Sequence, residues 1–565
     1  MESDRISRYL KFCRALLLPV VTCALLTWLI TLPTSAMWGT AERYFFTVVP
    51  LIMFAATIFC IATRQGAPWC AIDTLACIIW LEASLSAWMI TDSPCTGIWL
   101  KWSMLLVLYF ALRLQTRTLS AIMMVCAVLV TFYEVVYGGL QMLNIIRSNH
   151  KFYVLTGTFQ NPGPYGGFLA VMAAISGSWY MKEKRVLALF CLLLCLIVLP
   201  STMSRAAILS FAFAMIVYLA QWNARALLWS IICLVAAAFL LYIIRQGSAD
   251  GRLLINLIGF SAVNSSPWIG TGLGSFLHTY SEHLMPFLSR PEHEHWKAIV
   301  SVPDYAFNEW LHVAVEQGFI GCLLWGSLAV ITLRRLWRSG SPWCYGAIAL
   351  CVFSLFSYPM HLLPFQLLVV VMLAIAAQRE EPRKFQRMKK TRLMIVAPML
   401  TLFSAIIYQQ ARTRLDAIDH YRPIRGMTSP AFSEVYKESA SYLREYPHFL
   451  FDYAKLLRAS GNFNESNFML QQGRRVSADP MFLIVMGNNY KSMGAYAQAA
   501  STYKLAAARY PNRVYPLHQL MQLYVHTGNM TDAKTIARLI VNMTPKIMSP
   551  ATEQMKENAA KLLDE

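Results

Sequence analysis

Two arginines stand beside short polar segments of an otherwise apolar chain, and they are the first candidates for chemistry. Arg205 follows Ser204, a residue type that caps helices, and Arg252 follows Asp250 by two positions. An arginine at a helix N-terminus adds its charge to N–H groups and a helix dipole that already attract anions. Because a guanidinium group also pairs with phosphate oxygens through parallel hydrogen bonds, the two arginines could hold a diphosphate. The alternative is that they extend to the membrane interface or pair with a carboxylate such as Asp250.

A second polar group begins a later apolar run. Asn308 and Glu309 start this run, and His312 follows about one helical turn deeper. Glu309 lies near the expected outer surface between Tyr305 and Trp310, where a carboxylate can serve as a general base. The alternative is that Glu309 only stabilises a helix N-terminus, and His312 is more typical of a buried core histidine than of a base. The other candidates in the outer segments are Asn161, Asp304, Tyr280, His293 and His295.

The sequence predicts no metal site and no cofactor. His293 and His295 share one edge of the chain only if the segment 292–295 is extended, which does not favour metal binding. The 13 cysteines include no Cys-x-x-Cys pair, and many lie inside apolar runs as small hydrophobic residues. The glycine series 270–274 lacks a preceding strand and a following Lys-Ser/Thr pair, so it does not predict a nucleotide site.

The elements that must position these residues are membrane helices. The chain has 565 residues, of which 57% are hydrophobic and only 14% are charged, so it is not a soluble globular protein. Its apolar residues fall in runs of about 17–25 residues, long enough to cross a hydrocarbon core as a helix. The predicted runs are 15–33, 45–62, 69–90, 97–112, 119–140, 164–181, 186–200, 206–221, 226–244, 309–333, 343–357, 363–377 and 393–408.

Positive charge alternates between the loops that join these runs. The N-terminus and every second loop carry Lys and Arg, whereas the other short loops are poor in them. We therefore assign the net charge of +19 to orientation in the membrane and expect no nucleic acid partner. The pattern predicts a bacterial inner-membrane protein with a cytoplasmic N-terminus and a periplasmic C-terminal domain. Two long segments, 141–163 and 245–308, then lie outside the cytoplasm, where loops of this length are usually functional.

The C-terminal part has a helical repeat pattern. A frame of about 34 residues carries small and aromatic residues at the positions of a tetratricopeptide repeat. These positions are Gly487, Tyr490, Gly494, Tyr496, Ala499, Tyr503, Ala506 and Pro511, followed by Gly528, Ala533 and Pro545. We expect an all-α protein with a transmembrane domain at 1–408, a connecting helical segment at 409–446, repeats at 447–547 and a C-terminal helix at 548–565. The repeats would bind a protein partner or the acceptor, or they would only cover the membrane domain.

The ordered motifs between residues 150 and 380 resemble those of the O-antigen ligase, O-oligosaccharyltransferase and O-antigen polymerase superfamily. They are Phe-x-Asn-Pro at 159–162, Ser-Arg at 204–205, Gly-Arg at 251–252, Pro-x-x-Gly-x-Gly-x-Gly at 267–274, and Asn308-x-x-Leu311 with Glu316-x-Gly318-x-x-Gly321. The resemblance implies transfer of a glycan from an undecaprenyl diphosphate carrier to an acceptor hydroxyl, without metal or nucleotide. It also implies that Arg205 and Arg252 contact the diphosphate.

The sequence departs from the family pattern at one position. Members commonly have His-Asn-x-x-Leu, with the histidine activating the acceptor, whereas this chain has Phe307 before Asn308. Phenylalanine cannot move a proton. The substitutes considered are Glu309, Asp304, His312, His293 and His295, of which Glu309 is preferred for its place at the start of a helix.

We therefore predict a bundle of about 12–13 spanning helices that acts as a metal-independent ligase. The acceptor would be the lipid A core or a protein, because a repeat tail can dock such an acceptor. The alternatives are an O-antigen polymerase, whose acceptor is itself carrier-bound, and a transporter or flippase. Asp73, Glu82 and Glu134, inside the apolar runs, are the residues that favour transport, although each is expected to pair within the bundle.

Overall fold

The part of the chain that the structure describes is helical. The computed structural model describes residues 17–34, 37–63, 68–91, 95–115, 119–221, 246–378, 387–546 and 548–564, together with Leu228 and Ile232. Helices and the loops that join them account for these residues, and no strand occurs among them.

The first eight described helices fall on the first eight predicted apolar runs. They are α1 (Leu17–Ile30), α2 (Thr40–Thr63), α3 (Ala71–Leu85, extended by the π-helical turn Ser86–Ile90), α4 (Thr96–Arg113), α5 (Leu119–Met142), α6 (Pro162–Glu183), α7 (Val186–Val198) and α8 (Arg205–Ala220). The predicted run 226–244 lies outside the described residues except for Leu228 and Ile232.

The second half of the chain contains the remaining membrane helices, the long outer segment and the tail. Its helices are α9 (Gln246–Val263), α10 (Phe276–Leu288), α11 (Glu309–Arg338), α12 (Trp343–Ser354), α13 (Leu363–Gln378), α14 (Arg387–Tyr421), α15 (Ser433–Ser439), α16 (Pro447–Ala459), α17 (Phe463–Arg474), α18 (Met481–Ser492), α19 (Tyr496–Arg509), α20 (Val514–His526), α21 (Met530–Asn542) and α22 (Pro550–Asp564). Single 3₁₀ segments at Pro291–Ala298 and Pro359–His361 complete the outer loops.

The apolar helices make this a membrane protein. Among the described residues, four helical stretches are long and apolar enough to cross a bilayer: Thr40–Ala62, Ala71–Ile90, Leu119–Met142 and Glu309–Arg338. Five shorter apolar helices accompany them, namely α1, α7 extended to Thr202, α8, α12 and α13. The total of 12–13 spans stays a prediction.

Helix α6 forms the centre of the bundle. All of its residues from Pro164 to Ser178 are buried, and it packs against α7, α8 and α12. Small residues allow this close packing, since a Cβ atom at Gly167 would lie 2.2 Å from the ring of Phe353. The helix begins where it does because the Asn161 side chain accepts a hydrogen bond from the Gly163 N–H (2.9 Å) and because Pro162 occupies its first position.

Two of the three carboxylates that would favour transport have partners inside the bundle. Asp73 forms a buried ion pair with Arg113 (2.9 Å) and accepts a hydrogen bond from the Tyr109 hydroxyl (2.5 Å). Glu134 accepts hydrogen bonds from the hydroxyl and the backbone N–H of Thr158 (2.6 and 3.2 Å). These contacts confirm the expected pairing of both. For Glu82 the expected pairing stays a prediction, and its buried Oε2 has no hydrogen-bond partner in the part of the chain that the structure describes.

Helix α11 is broken at Gly318, and the glycine series of the outer segment fills the break. Gly318 has φ 64° and ψ −162°, which interrupts the helical hydrogen bonds. The freed groups pair with the glycine loop: the N–H groups of Thr271 and Gly272 donate to the carbonyls of Val315 and Glu316 (both 2.9 Å), and the Phe319 N–H donates to the Pro267 carbonyl (2.8 Å). The two glycine motifs therefore form one structural unit.

The tail helices stack in chain order. From α16 to α22 each helix packs against the next, and α16, α18, α20 and α22 also contact one another in succession. Small residues lie where helices touch, since a Cβ atom at Gly487 would lie 2.4 Å from the ring of Tyr503. Helix α14 precedes the stacked tail helices in the chain. It packs against α2 and α4 and is helical from Arg387 to Tyr421.

Hydrogen bonds between loops gather at two ends of the bundle. At one end, named the Arg252 end, the Thr34 N–H donates to the Thr158 carbonyl (3.0 Å), and Arg252 donates to the Phe356 carbonyl (3.2 Å). At the other, named the Lys182 end, Lys182 donates to the Gly340 carbonyl (2.6 Å). Candidate chemistry is concentrated at the Arg252 end.

Candidate active site

Arg205 is the first residue of α8 and lies beside the Asn-Pro turn. Ser204 occupies the N-cap position, but its hydroxyl makes no capping hydrogen bond and instead donates to the Gly163 carbonyl (3.4 Å). The preceding Met203 has φ 52°, which turns the chain sharply from the 3₁₀ segment into α8. This turn places the Arg205 backbone next to the start of α6.

Arg252 approaches the same region from α9. Its guanidinium group donates to the Phe356 carbonyl (3.2 Å) and lies over the ring of Phe307, 4.9 Å from the ring centre. Desolvation and the positive charge of Arg205 lower the pKa of Arg252, while Tyr358 opposes this shift. The two predicted diphosphate-binding arginines, 47 positions apart, are therefore close enough in space to interact electrostatically.

Phe307, at the position where the family resemblance implies a histidine, is a packing residue. Its backbone is in the left-handed region (φ 54°), which is unusual for a bulky side chain and costs about 1–3 kcal/mol. The ring packs against Arg252 and, edge to face, against Tyr358 (5.4 Å between ring centres). These contacts hold the strained residue in place directly before α11.

Asn308 and Glu309 have different local roles. The Asn308 side chain caps α11 by accepting a hydrogen bond from the Leu311 N–H (3.2 Å). Glu309 is buried (8% exposed), and its Oε1 accepts a hydrogen bond from the Met360 N–H (2.7 Å). Glu309 therefore ties the start of α11 to the turn between α12 and α13.

His312 lies one turn deeper and faces a second carboxylate. Its Nε2 is 3.1 Å from Oε1 of Glu316, whose carboxylate also accepts a hydrogen bond from the Phe276 N–H (3.1 Å). The ring of His312 stacks on the ring of Phe276, with 4.9 Å between their centres. The imidazole is therefore enclosed between α10 and α11, although its buried Nδ1 has no hydrogen-bond partner among the described residues.

His361 is a functional candidate that the sequence analysis did not identify. Its Nδ1 lies 3.5 Å from Oε1 of Glu309, and its ring meets the ring of His312 edge to face (4.6 Å). On its other side the ring contacts Tyr305 (4.9 Å). The available signal was its place between Pro359 and Pro364, which interrupt an apolar run at the predicted outer face.

A row of rings connects His361 with Arg252. Tyr305 stacks on Tyr358 with 4.0 Å between ring centres, and Tyr358 in turn contacts Phe307, on which Arg252 lies. The imidazole of His361, the carboxylate of Glu309 and the guanidinium group of Arg252 thus belong to one contiguous cluster, built from α9, the residues around the start of α11 and the loop 355–362.

Three further predicted candidates lie outside this cluster and make packing contacts, namely His293, His295 and Tyr280. His293 stacks on Phe287 (3.8 Å) and its Nδ1 pairs with the Phe287 carbonyl, and His295 packs beside Trp296. Tyr280 is buried in a hydrophobic cluster that also contains Tyr510 of the tail. In the described part of the chain, no group of three His, Cys, Asp or Glu residues is arranged to hold a metal ion.

Asp304 lies where the tail approaches the site. Burial raises its pKa, and the nearby His448, at the start of α16, opposes this shift. The tail is also held to the outer segment from α19: Arg509 donates to the Ser281 hydroxyl (2.7 Å) and to the Glu282 carboxylate (2.8 Å). The tail thus contacts α10 directly, and His448 lies near enough to Asp304 for its charge to act on that carboxyl group.

Residues 190–326 match the family model described as O-antigen ligase. This match supports placing the chain in the O-antigen ligase superfamily. Proteins with this domain are ligase-type or polymerase-type membrane glycosyltransferases. No curated protein matches the chain significantly.

The O-antigen ligase segment contains much of the geometry described above. Arg205, Arg252, the glycine loop and the first half of α11 all fall within it. The Asn-Pro turn, His361 and the tail lie outside the matched residues, so their relation to the family domain rests on the contacts between them.

Proposed function

We propose that this protein transfers a glycan from an undecaprenyl diphosphate carrier to a hydroxyl group of an acceptor at the periplasmic face of the inner membrane. The observation that supports this proposal most directly is the approach of Arg205 and Arg252 from two different helices. A diphosphate held between the two guanidinium groups would pair with both of them.

The chemistry requires little beyond position and charge. The acceptor oxygen attacks the first carbon of the donor sugar, and the bond from that carbon to the phosphate oxygen breaks with its electron pair leaving on the diphosphate. Arg205 and Arg252 would stabilise the negative charge that develops on this leaving group. Binding both substrates so that the acceptor oxygen, the first carbon of the donor sugar and the leaving phosphate oxygen lie in line would supply much of the remaining rate acceleration. No metal is required for such a step.

The sidedness of the proposal follows from charge. The Lys182 end carries clusters of basic residues, whereas the Arg252 end carries the long outer segment and the docked tail. Because short cytoplasmic loops are enriched in Lys and Arg, we assign the Lys182 end to the cytoplasm and the Arg252 end to the periplasm. The basic residues at the Lys182 end are Arg113, Lys182, Lys184, Arg185, Arg334, Arg335 and Arg338.

The tail favours a ligase or a protein transferase over a polymerase. We assign its stacked helices to tetratricopeptide-like repeats, which present a surface to a partner. The tail contacts the outer segment through Arg509 and approaches Asp304 through His448. An acceptor bound on this surface would stand next to the arginines, whereas an acceptor held by a lipid carrier does not need such a dock.

Deletion of the gene tests the proposed function and separates its forms. Loss of long-chain lipopolysaccharide while carrier-linked polymer is still made would identify a ligase. Lipopolysaccharide restricted to single glycan units would identify a polymerase, and unchanged lipopolysaccharide with unglycosylated proteins would identify a protein transferase. Restoration by the wild-type gene is the control. If all of these glycans and the carrier-linked pool remain unchanged, the proposal is wrong.

A further inference from the structure

The inference concerns which group accepts the proton of the acceptor hydroxyl, and it rests on the proposed function. In the cluster beside Arg252, Phe307 carries no titratable group. The imidazole and carboxylate groups with described contacts near it are His361, Glu309 and His312 with Glu316, and the Asp304 carboxylate lies near Tyr305 and Tyr358. Their contacts distinguish these groups from one another.

Glu309 is poorly placed to meet an acceptor itself. Its side chain is 9% exposed, and Oε1 already accepts the Met360 N–H and faces Nδ1 of His361. His312 is also enclosed, because its side chain is 15% exposed and its Nε2 is directed to Glu316. Oε1 of Glu309 and Nε2 of His312 are therefore each directed to a neighbouring group of the protein and not to an acceptor.

His361 is more accessible and is held by its neighbours. Its side chain is 29% exposed, the largest fraction among the two histidines and the two glutamates. The short 3₁₀ segment Pro359–His361 is fixed to α11 by the hydrogen bond from Met360 to Glu309. The ring is further held between Tyr305 and His312.

The position of Glu309 also favours one nitrogen of the ring as the base. Nδ1 lies 3.5 Å from Oε1 of Glu309 but makes no hydrogen bond among the described residues. A small rotation of the ring would let an Nδ1–H group donate to that carboxylate, and this tautomer has its lone pair on Nε2. A carboxylate in this position also stabilises the imidazolium that forms when the ring accepts a proton.

We propose that His361 is the general base of the transfer reaction and that Glu309 positions it. Nε2 accepts the proton of the acceptor hydroxyl while the acceptor oxygen forms a bond to the first carbon of the donor sugar. The bond between that carbon and the phosphate oxygen breaks, and its electron pair leaves with undecaprenyl diphosphate. The imidazolium later returns the proton to water or to the departing phosphate.

The test uses the full-length protein, expressed in the deletion strain, with glycan transfer measured per amount of protein in the membrane. His361→Ala should lower transfer by about 10²- to 10⁴-fold, the usual contribution of a general base. His361→Gln, which keeps the bulk of the ring but not its basicity, should lower it similarly. His420→Ala, which removes an exposed histidine of α14, is the matched control and should transfer at the wild-type rate.

Rescue separates a base from a structural residue. Added imidazole should enter the space left in His361→Ala and raise its transfer by about tenfold or more, because it supplies the missing base. Adding Phe307→His to the same variant, which places an imidazole beside Arg252 and Tyr358, is a second route to recovery. Recovery by either route supports the proposal, and recovery by neither overturns it, as does wild-type transfer by His361→Ala.

The variant Arg252→Ala tests the proposed function separately from the role of His361. It should lose transfer whether or not imidazole is present, because it weakens donor binding and leaves His361 intact. Activity in His361→Ala together with inactivity in Arg252→Ala would refute the role of His361 and leave the proposed function standing. Full activity in both variants would refute the arginine site and the histidine together.

Discussion

Glu309 and His361 meet across the start of α11, with Oε1 of the carboxylate 3.5 Å from Nδ1 of the imidazole. The same oxygen accepts the backbone N–H of Met360 at 2.7 Å. One buried carboxylate thus holds the turn that carries the histidine and lies beside Nδ1 of its ring. This contact joins the O-antigen ligase segment to a loop outside it.

We expect the negative charge of Glu309 to matter more for glycan transfer than the size and shape of its side chain. Glu309→Gln retains an oxygen that can accept the Met360 N–H, but it removes the negative charge that stabilises a protonated His361. A charged hydrogen bond from the imidazolium to this carboxylate, formed when the ring accepts a proton, would contribute about 1.5–3 kcal/mol, so its loss should lower transfer by about tenfold to a hundredfold. The measurement is glycan transfer per amount of membrane protein. Glu438→Gln, at an exposed position of α15, should have no effect.

A mainly structural role for Glu309 would give a different result. In that case Glu309→Gln, which preserves the hydrogen bond, would transfer at the wild-type rate, and only Glu309→Ala would fail through loss of folded protein.

The glycine loop is expected to tolerate no side chain at Gly270. This residue has φ 70°, and a Cβ atom there would lie 2.3 Å from the backbone carbonyl carbon of Glu316. Gly270→Ala should therefore lower the midpoint of thermal unfolding of the purified protein and reduce transfer. Gly426→Ala is the matched control, because Gly426 also has positive φ (78°) but open space around it. Gly426→Ala should lower the free energy of unfolding by only about 1–2 kcal/mol. Equal effects of the two substitutions would contradict the packing described here.

The attachment of the tail is expected to depend on Glu282. Its carboxylate accepts a hydrogen bond from Arg509 (2.8 Å) and lies 3.5 Å from Arg474. Glu282→Gln should expose the links around the tail helices to protease and reduce transfer if the tail presents the acceptor. Glu553→Gln in α22, at the far end of the stack, is the control. Unchanged protection of the tail would show that the hydrophobic contacts around Tyr510 suffice.

The same contact has a predicted pH dependence. Burial alone would raise the pKa of Glu282, but Arg509, with His278 and Arg474, more than offsets this and lowers it below the ordinary value of 4.5. A carboxyl group whose pKa is lowered on docking stabilises the docked tail above its ordinary pKa, and this contribution is lost as the pH falls through the lowered value. Protection of the wild-type tail should therefore decrease below about pH 4.5, whereas in Glu282→Gln it should be independent of pH in that range.

The buried ion pair between Asp73 and Arg113 is expected to serve stability only. Asp73→Asn leaves Arg113 without its counter-charge, and breaking a buried pair in this way costs about 3–5 kcal/mol. The midpoint of thermal unfolding should fall, while transfer per folded molecule stays near that of the wild type. A variant with normal stability and no transfer would instead favour a role of Asp73 in transport.

The sequence predicted the elements better than the contacts between them. Apolar run lengths located the first eight described helices, and four helical stretches of the described chain, with Glu309–Arg338 among them, are long and apolar enough to cross a bilayer. The alternation of basic loops placed Arg205 and Arg252 at one end, where the structure brings their charges together. Both inferences use local composition, which the sequence displays directly.

The partnership of Glu309 and His361 could not be predicted in this way. The two residues are 52 positions apart and meet only because α11 and the turn before α13 are packed side by side. The contact between Glu282 and Arg509 spans 227 positions and likewise depends on how the tail folds back. No local sequence motif indicates either contact, because the type of each residue is ordinary for the segment in which it lies. Ser204 is the converse case: its type suits a helix cap, yet its hydroxyl bonds to Gly163.

The most direct test of the central claim is the loss of transfer in Arg252→Ala, measured in the deletion strain against wild-type protein at equal membrane levels. We expect carrier-linked glycan to accumulate in this variant and transfer to the acceptor to be abolished. Arg252→Lys should recover only part of the activity, because it keeps the charge but not the paired hydrogen bonds. Arg290→Ala, which removes an exposed arginine of the same outer segment, should leave transfer unchanged. Wild-type transfer by Arg252→Ala, with no accumulation of donor, would contradict the account.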